Sequence, residues 1–199
     1  MGLFDFLKRG EAPAPEPEVI PEPAPTEEPV PAGEVVRIEI RDTPEKFAPV
    51  AKELVPFLVD HLRALAELEA DMFRRERELE KKKLDMGIPK PQTAPGWEEL
   101  LEDYTNRYGQ AAQAFCTPKL LERGYARSWG RPGEYDYLNT GCDLIFTMKS
   151  ARRAVVEARH TRVLLFRYQF VLKDTEDGWR VDQKSYAHGL DDSWHLHHI

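Results

Sequence analysis

The chain has 199 residues, a formal charge of −7 and 41% hydrophobic residues, which allows one sizeable core with appendages. The acidity is confined to the front: residues 1–44 carry four basic and ten acidic side chains, residues 45–96 ten of each, and residues 97–199 fourteen basic and fifteen acidic. A nearly neutral folding region argues neither for binding nucleic acid nor for mimicking it, and no apolar run is long enough to span a membrane.

The opening "MGLFDFLKRG" sets Leu3, Phe4, Phe6 and Leu7 ahead of Lys8 and Arg9, the reverse of a secretory signal. Phe6 breaks the myristoylation pattern that Gly2 suggests. One helical turn of apolar residues buries too little area to anchor, so a cytoplasmic chain with no stable membrane association is expected. Residues 11–34 then hold eight prolines between Pro13 and Pro31, interspersed with Glu and Ala. Proline removes backbone donors and fixes φ, and like charges extend the segment. A disordered Pro/Glu-rich tail is therefore expected over 1–44.

"VVRIEI" (35–40) alternates and predicts a short strand within that stretch. Asp42 or Thr43 then caps a helix over 45–87 whose stripe is Phe47, Val50, Leu54, Phe57, Leu58, Leu62, Leu65, Leu68 and Met72. Steps of three and four make one apolar face. Pro56 predicts a kink. The stripe fits either a helix lying on its own domain or a homodimer through the long helix. Gly87 ends it, and Pro89, Pro91 and Pro95 mark a linker over 88–96. A domain is expected over 97–199.

That domain begins with a helix carrying Trp97, Leu100, Leu101, Tyr104, Tyr108 and Phe115 on one face. A short helix follows, capped by Thr117, with Pro118 first and Gly124 after it. The period then changes to two. "DLIFTM" (143–148) and "AVVEA" (154–158) are strands joined by the basic turn "KSARR". "TRVLLFRYQFVLKD" (161–174) is the longest strand, and "WRVDQKSYAH" returns after "TEDG". In the long strand Leu164, Phe166, Tyr168, Phe170 and Leu172 make a wholly apolar face, the expected core. Val163, Leu165, Arg167, Gln169 and Val171 make a face that turns polar midway and should meet water or a partner. Helices followed by antiparallel strands predict an α+β domain, helices packed on one side of a curved sheet.

Cys116 and Cys142 fit no CxxC or zinc spacing and are expected as buried thiols. No cofactor motif is present. His195 and His197 are two apart and would share a strand face, where Asp191 or Asp192 could join them around zinc or nickel. Alternation at an edge strand ending in "DDSWHLHHI" explains the same pattern without metal. A catalytic alternative would draw on Asp136, Asp143, Asp182, His160 and His188 with Tyr104 or Tyr108, the logic of proton abstraction beside a carbonyl. None sits in a recognisable catalytic motif.

Taken together, "TPKLLERG", "YDYLN", "FTMKSARRAVVEA", "YQFVLKDTEDGWRVDQKSY" and a final Trp resemble the bacterial immunity proteins of the nuclear transport factor 2-like fold. These are cone-shaped α+β domains encoded beside polymorphic toxins. The resemblance covers about residues 100–199. It implies a non-enzymatic protein that binds and neutralises a cognate protein toxin, with no nucleic acid and no cofactor. Such binding asks for aromatic and Arg anchors on a rigid sheet, and the candidates are Arg152, Arg153, Arg167, Gln169, Tyr135, Tyr137 and Trp194. A small-molecule-binding or isomerase-type enzyme using the cone cavity, and a tethered interaction scaffold, are the alternatives; a filled cone favours binding and an open apolar pocket favours chemistry.

Overall fold

The computed structural model describes residues 36–160, 166–189 and 193–199. The Pro-rich segment, the start of the expected long strand at 161–165 and Asp191 and Asp192 lie outside the described residues. Six strands form one curved sheet, open at both edges, in the order of the chain: β1 (Val36–Ile40), β2 (Cys142–Ser150), β3 (Arg153–His160), β4 (Phe166–Thr175), β5 (Gly178–His188) and β6 (His195–His197). All neighbours are antiparallel except β1, which lies parallel to β2. A parallel pair needs a long crossover, and the helices between residues 48 and 121 supply it.

Helix α1 (Ala48–Asp85) runs through Pro56 without interruption. Its stripe is spent on the chain's own core: Leu54, Val55, Leu58, Leu62, Leu65, Leu68 and Met72 share one buried cluster with the sheet. The expected cap differs. A 3-10 turn (Glu45–Phe47) precedes α1, and the Thr43 hydroxyl accepts the Met148 N–H at 2.9 Å, tying the helix entry to β2. Helix α2 (Trp97–Gln113) packs beside α1 and buries Leu100, Tyr104, Tyr108 and Ala112. An ion-pair network links the two helices, with Asp71 at 3.1 Å from Arg107 and Arg75 against Asp103. Helix α3 (Pro118–Leu121) is capped by Thr117, whose side chain accepts the Leu120 N–H, and Gly124 follows at φ +97°. A short helix α4 (Tyr137–Thr140) leads into β2.

The strands alternate as expected on one side. Leu144, Phe146, Ala154, Val156, Phe170 and Leu172 point into the core, and Tyr168 packs against it. The space between helices and sheet is filled by Tyr104, Tyr108, Phe115, Tyr135, Tyr137, Phe146, Phe170 and Lys184, all less than 2% exposed. Ile199 is buried in the same core, and its carbonyl accepts the Ala126 N–H at 3.0 Å.

The register breaks once in β5. Val171 pairs with Gln183, but Leu172 pairs with Val181, so Asp182 is an extra residue. Such a bulge reverses the alternation beyond it. Here the Val181 backbone turns to bond the residues before α3: its N–H donates to Phe115 and its carbonyl accepts from Thr117. Val181 and Lys184 both end on the core side as a result.

Candidate partner-binding site

The face of the sheet away from the helices carries the polar half of the alternation. Register places Arg153, Glu157 and Arg159 on β3 beside Lys173, Gln169 and Arg167 on β4. Glu157 holds two guanidinium groups, Arg159 at 2.8 Å and Arg167 at 3.6 Å. The Arg167 guanidinium also lies 5.2 Å from the Trp194 ring centre, a cation–π contact. Gln169 is half-buried, and Ile145, Val171 and Ala187 are buried on this same face. At its end, the turn between β2 and β3 exposes Arg152, which bonds the Asp174 carbonyl at 3.1 Å. Arg153, Arg167, Gln169 and Trp194 are thus gathered on one face, with Arg152 at its end.

Tyr135 and Tyr137 do not join them. Both are fully buried. Tyr137 stacks on Tyr168 at 5.7 Å, and the Tyr135 hydroxyl lies 2.8 Å from Lys184 Nζ. The turn into α4 rolls the segment inward, so these rings fill the core rather than anchor a partner. Of the metal candidates, His195 is exposed and packs on Tyr186 at 5.4 Å. His197 turns its Nε2 to Glu134 at 3.2 Å. Among the described residues no group of three His, Cys, Asp or Glu side chains is placed to hold a metal ion.

The catalytic candidates are dispersed. Asp143 pairs with Arg37 at 2.9 Å, Asp182 accepts the Thr117 hydroxyl at 3.0 Å, and Asp136 accepts the Gly133 N–H. The Tyr104 hydroxyl donates to the Ser128 carbonyl. His160 lies 4.4 Å from Tyr137, and burial lowers its pKa. His188 is exposed.

A second group was not singled out from sequence. Lys184, with no exposed surface, places Nζ 2.6 Å from Glu134 Oε1. Burial pushes the Lys184 ammonium down, while Glu134 opposes that shift. Burial also works against the Glu134 carboxylate, yet Lys184 and His197 together hold it down at about 2. Glu69 of α1 stands beside them, 3% exposed, accepting the Glu134 backbone N–H at 2.9 Å. Burial pushes it up to about 7, because that N–H and the Coulombic pull of Lys184 do not offset desolvation. Glu69 and Glu134 border a cleft of about 520 Å³ lined also by Tyr125, Arg127, His197 and His198. Glu69 did carry a signal: it sits four residues after Leu65 and three before Met72, on the apolar stripe itself. Lys184 carried none, since strict alternation puts it on the far face.

With this geometry in view, a family model described as NTF2 fold immunity protein (NTF2 standing for nuclear transport factor 2) matches residues 89–197, more than half of the chain. The chain belongs to that family. No curated protein and no solved structure matches it. The NTF2 fold immunity region takes in α2 to α4 and β2 to β6, hence the outward face, Glu134, Lys184 and His197. Helix α1, with Glu69, precedes it. No helix among the described residues is long and apolar enough to cross a membrane.

Proposed function

We propose that this chain is a non-enzymatic immunity protein that binds a cognate protein toxin and blocks it. Family membership supplies the class of function. The observation that carries binding over chemistry is the filled cone: aromatic rings and Lys184 occupy the interior where an isomerase would keep a substrate pocket. The dispersal of Asp136, Asp143, Asp182, His160 and His188 supports the same reading, because general acid–base work needs its groups within reach of one reacting centre. The partner face is the outward side of the sheet, with Arg152, Arg153, Arg167, Gln169 and Trp194 as its anchors. Arginine and tryptophan are over-represented among residues that dominate binding energy.

The test is capture followed by neutralisation. The full chain is immobilised, exposed to lysate of its source, and washed at high salt. A retained protein that arrests growth when expressed alone, and is inhibited stoichiometrically by this chain, supports the reading. Copurification of only a small molecule, or a captured protein whose activity the chain leaves unchanged, overturns it.

A further inference from the structure

We propose that the cleft between α1, the 125–134 segment and β6 receives a cationic side chain, lysine or arginine, of the protein partner, with Glu69 as the carboxylate that pairs with it. This rests on the reading of the chain as a toxin-binding module and names the chemistry of a second contact, separate from the outward sheet face.

The cleft, about 520 Å³, has room for a long side chain. Its walls include two carboxylates in different states. Glu134 is already neutralised by Lys184 at 2.6 Å, with His197 Nε2 at 3.2 Å as a further partner. Glu69 is not. Among the described residues it has no ion pair, and its one hydrogen bond comes from the Glu134 backbone N–H. With Glu69 only 3% exposed, its carboxylate lines a cleft and has for counter-charge only the Coulombic pull of Lys184, already paired with Glu134, so its charged form is unfavourable unless a further cation arrives. Gly133 lies close by: a Cβ there would stand 2.6 Å from Glu69 Oε2, so a side chain at that position would push the carboxylate aside. Tyr125, half-buried, adds an aromatic wall of the kind that favours guanidinium and ammonium groups. The charged and titratable groups around Glu69 are Glu134, Asp136 and Arg127 from the loop side, Lys184 from β5, His197 from β6 and His198 just after it. His198 is held toward its neutral form, chiefly by burial. Arg127 is exposed and makes no ion pair with Glu69. One cationic side chain therefore completes the local balance.

Proton linkage gives a readout of its own. With Glu69 pushed up to about 7, the free protein is close to half-protonated there at neutral pH. A bound cation favours the carboxylate, so binding at pH 7 releases about half a proton and tightens from pH 6 to pH 8.

The probe is N-acetyl-arginine methylamide, with the uncharged citrulline analogue as control, titrated into the full chain and followed by NMR and calorimetry. A probe of this size is expected to bind with a dissociation constant on the order of millimolar. Saturable shifts confined to Glu69, Tyr125, Arg127, Glu134 and His197, proton release at pH 7, and at least tenfold weaker binding of citrulline support the proposal. Glu69→Gln should abolish the response, and Arg127→Ala should preserve it. No saturable shift in the cleft, or equal binding by Glu69→Gln, overturns it. A captured toxin bound equally well by wild type and Glu69→Gln would sink the cleft while leaving neutralisation intact. Arginine binding without any neutralised toxin would do the reverse.

Discussion

Val181 and Lys184, three residues apart on β5, turn to the same side of the sheet, and both are fully buried. The extra residue Asp182 makes this possible. The bulge therefore has two effects: it frees Val181 to bond the chain ahead of α3, and it delivers an ammonium into an aromatic core. There Lys184 meets Glu134 and the faces of Tyr135 and Tyr168, 4.7 and 5.3 Å from the ring centres.

Removing one partner of a buried pair is costly because the other charge stays behind. Lys184→Met leaves Glu134 with His197 alone and should destabilise the fold by about 3–5 kcal/mol. Adding Glu134→Gln should recover much of that loss, since no unpaired charge then remains. Urea unfolding of the single and double variants measures both. Equal stability of Lys184→Met and wild type would mean that the pair is not closed in solution.

The pH dependence of stability should show two limbs. Glu69 is raised from 4.5 to about 7 on folding, so the folded state holds more protons than the unfolded chain between those values. Stability therefore falls as pH rises from about 4.5 through 7. Glu134 is lowered from 4.5 to about 2; its contribution is present above 4.5 and is lost as pH falls toward 2. Maximum stability is expected at mildly acidic pH. Glu69→Gln should flatten the upper limb and raise stability at pH 8 by on the order of 2 kcal/mol. An unchanged slope above pH 5 would place the titrating group elsewhere.

The stretches with clean periodicity were legible in the sequence. The stripe of α1, the Thr117–Pro118–Gly124 punctuation of α3 and the apolar face of β4 each follow from local spacing alone. What failed depends on tertiary context. The parallel seat of β1 is chosen by the helices between it and β2. The bulge at Asp182 answers backbone partners more than sixty residues away, since Val181 bonds to Phe115 and Thr117. Tyr135 and Tyr137 looked like anchors because a loop between helix and strand has no period to say which way it faces. Glu69 was hidden differently: a reading that counts only apolar residues skips a charge on the stripe, although its position matched.

The outward face offers a direct test of the proposed interface. Arg167→Ala with Gln169→Ala removes the contact with Trp194 and an ion pair to Glu157 whose two side chains are only 16% and 17% exposed. Glu157 keeps Arg159 at 2.8 Å and is not left unpaired, so the double variant should lose on the order of 1–2 kcal/mol and stay folded. Against the cognate toxin it should bind at least tenfold more weakly, as expected where Arg is a binding anchor. Unfolding of the double variant, measured by circular dichroism, would instead make these residues structural supports.

The two thiols give a last check, on the core itself. Cys116 and Cys142 are both free and buried. Burial pushes Cys116 up to about 12 and Cys142 to about 11, far from the thiolate that reacts with disulfide reagents. Neither should react with Ellman's reagent at pH 8 in the native protein, and both should react once it is unfolded. Cys142 begins β2 and Cys116 sits where the helical layer meets β5. Reaction of Cys142 alone under native conditions would report opening of the β1–β2 edge, and reaction of Cys116 alone would report release of the α3 segment from Val181. Labelling rates in increasing urea thus measure whether helices and sheet open as one unit, as their shared hydrophobic cluster predicts.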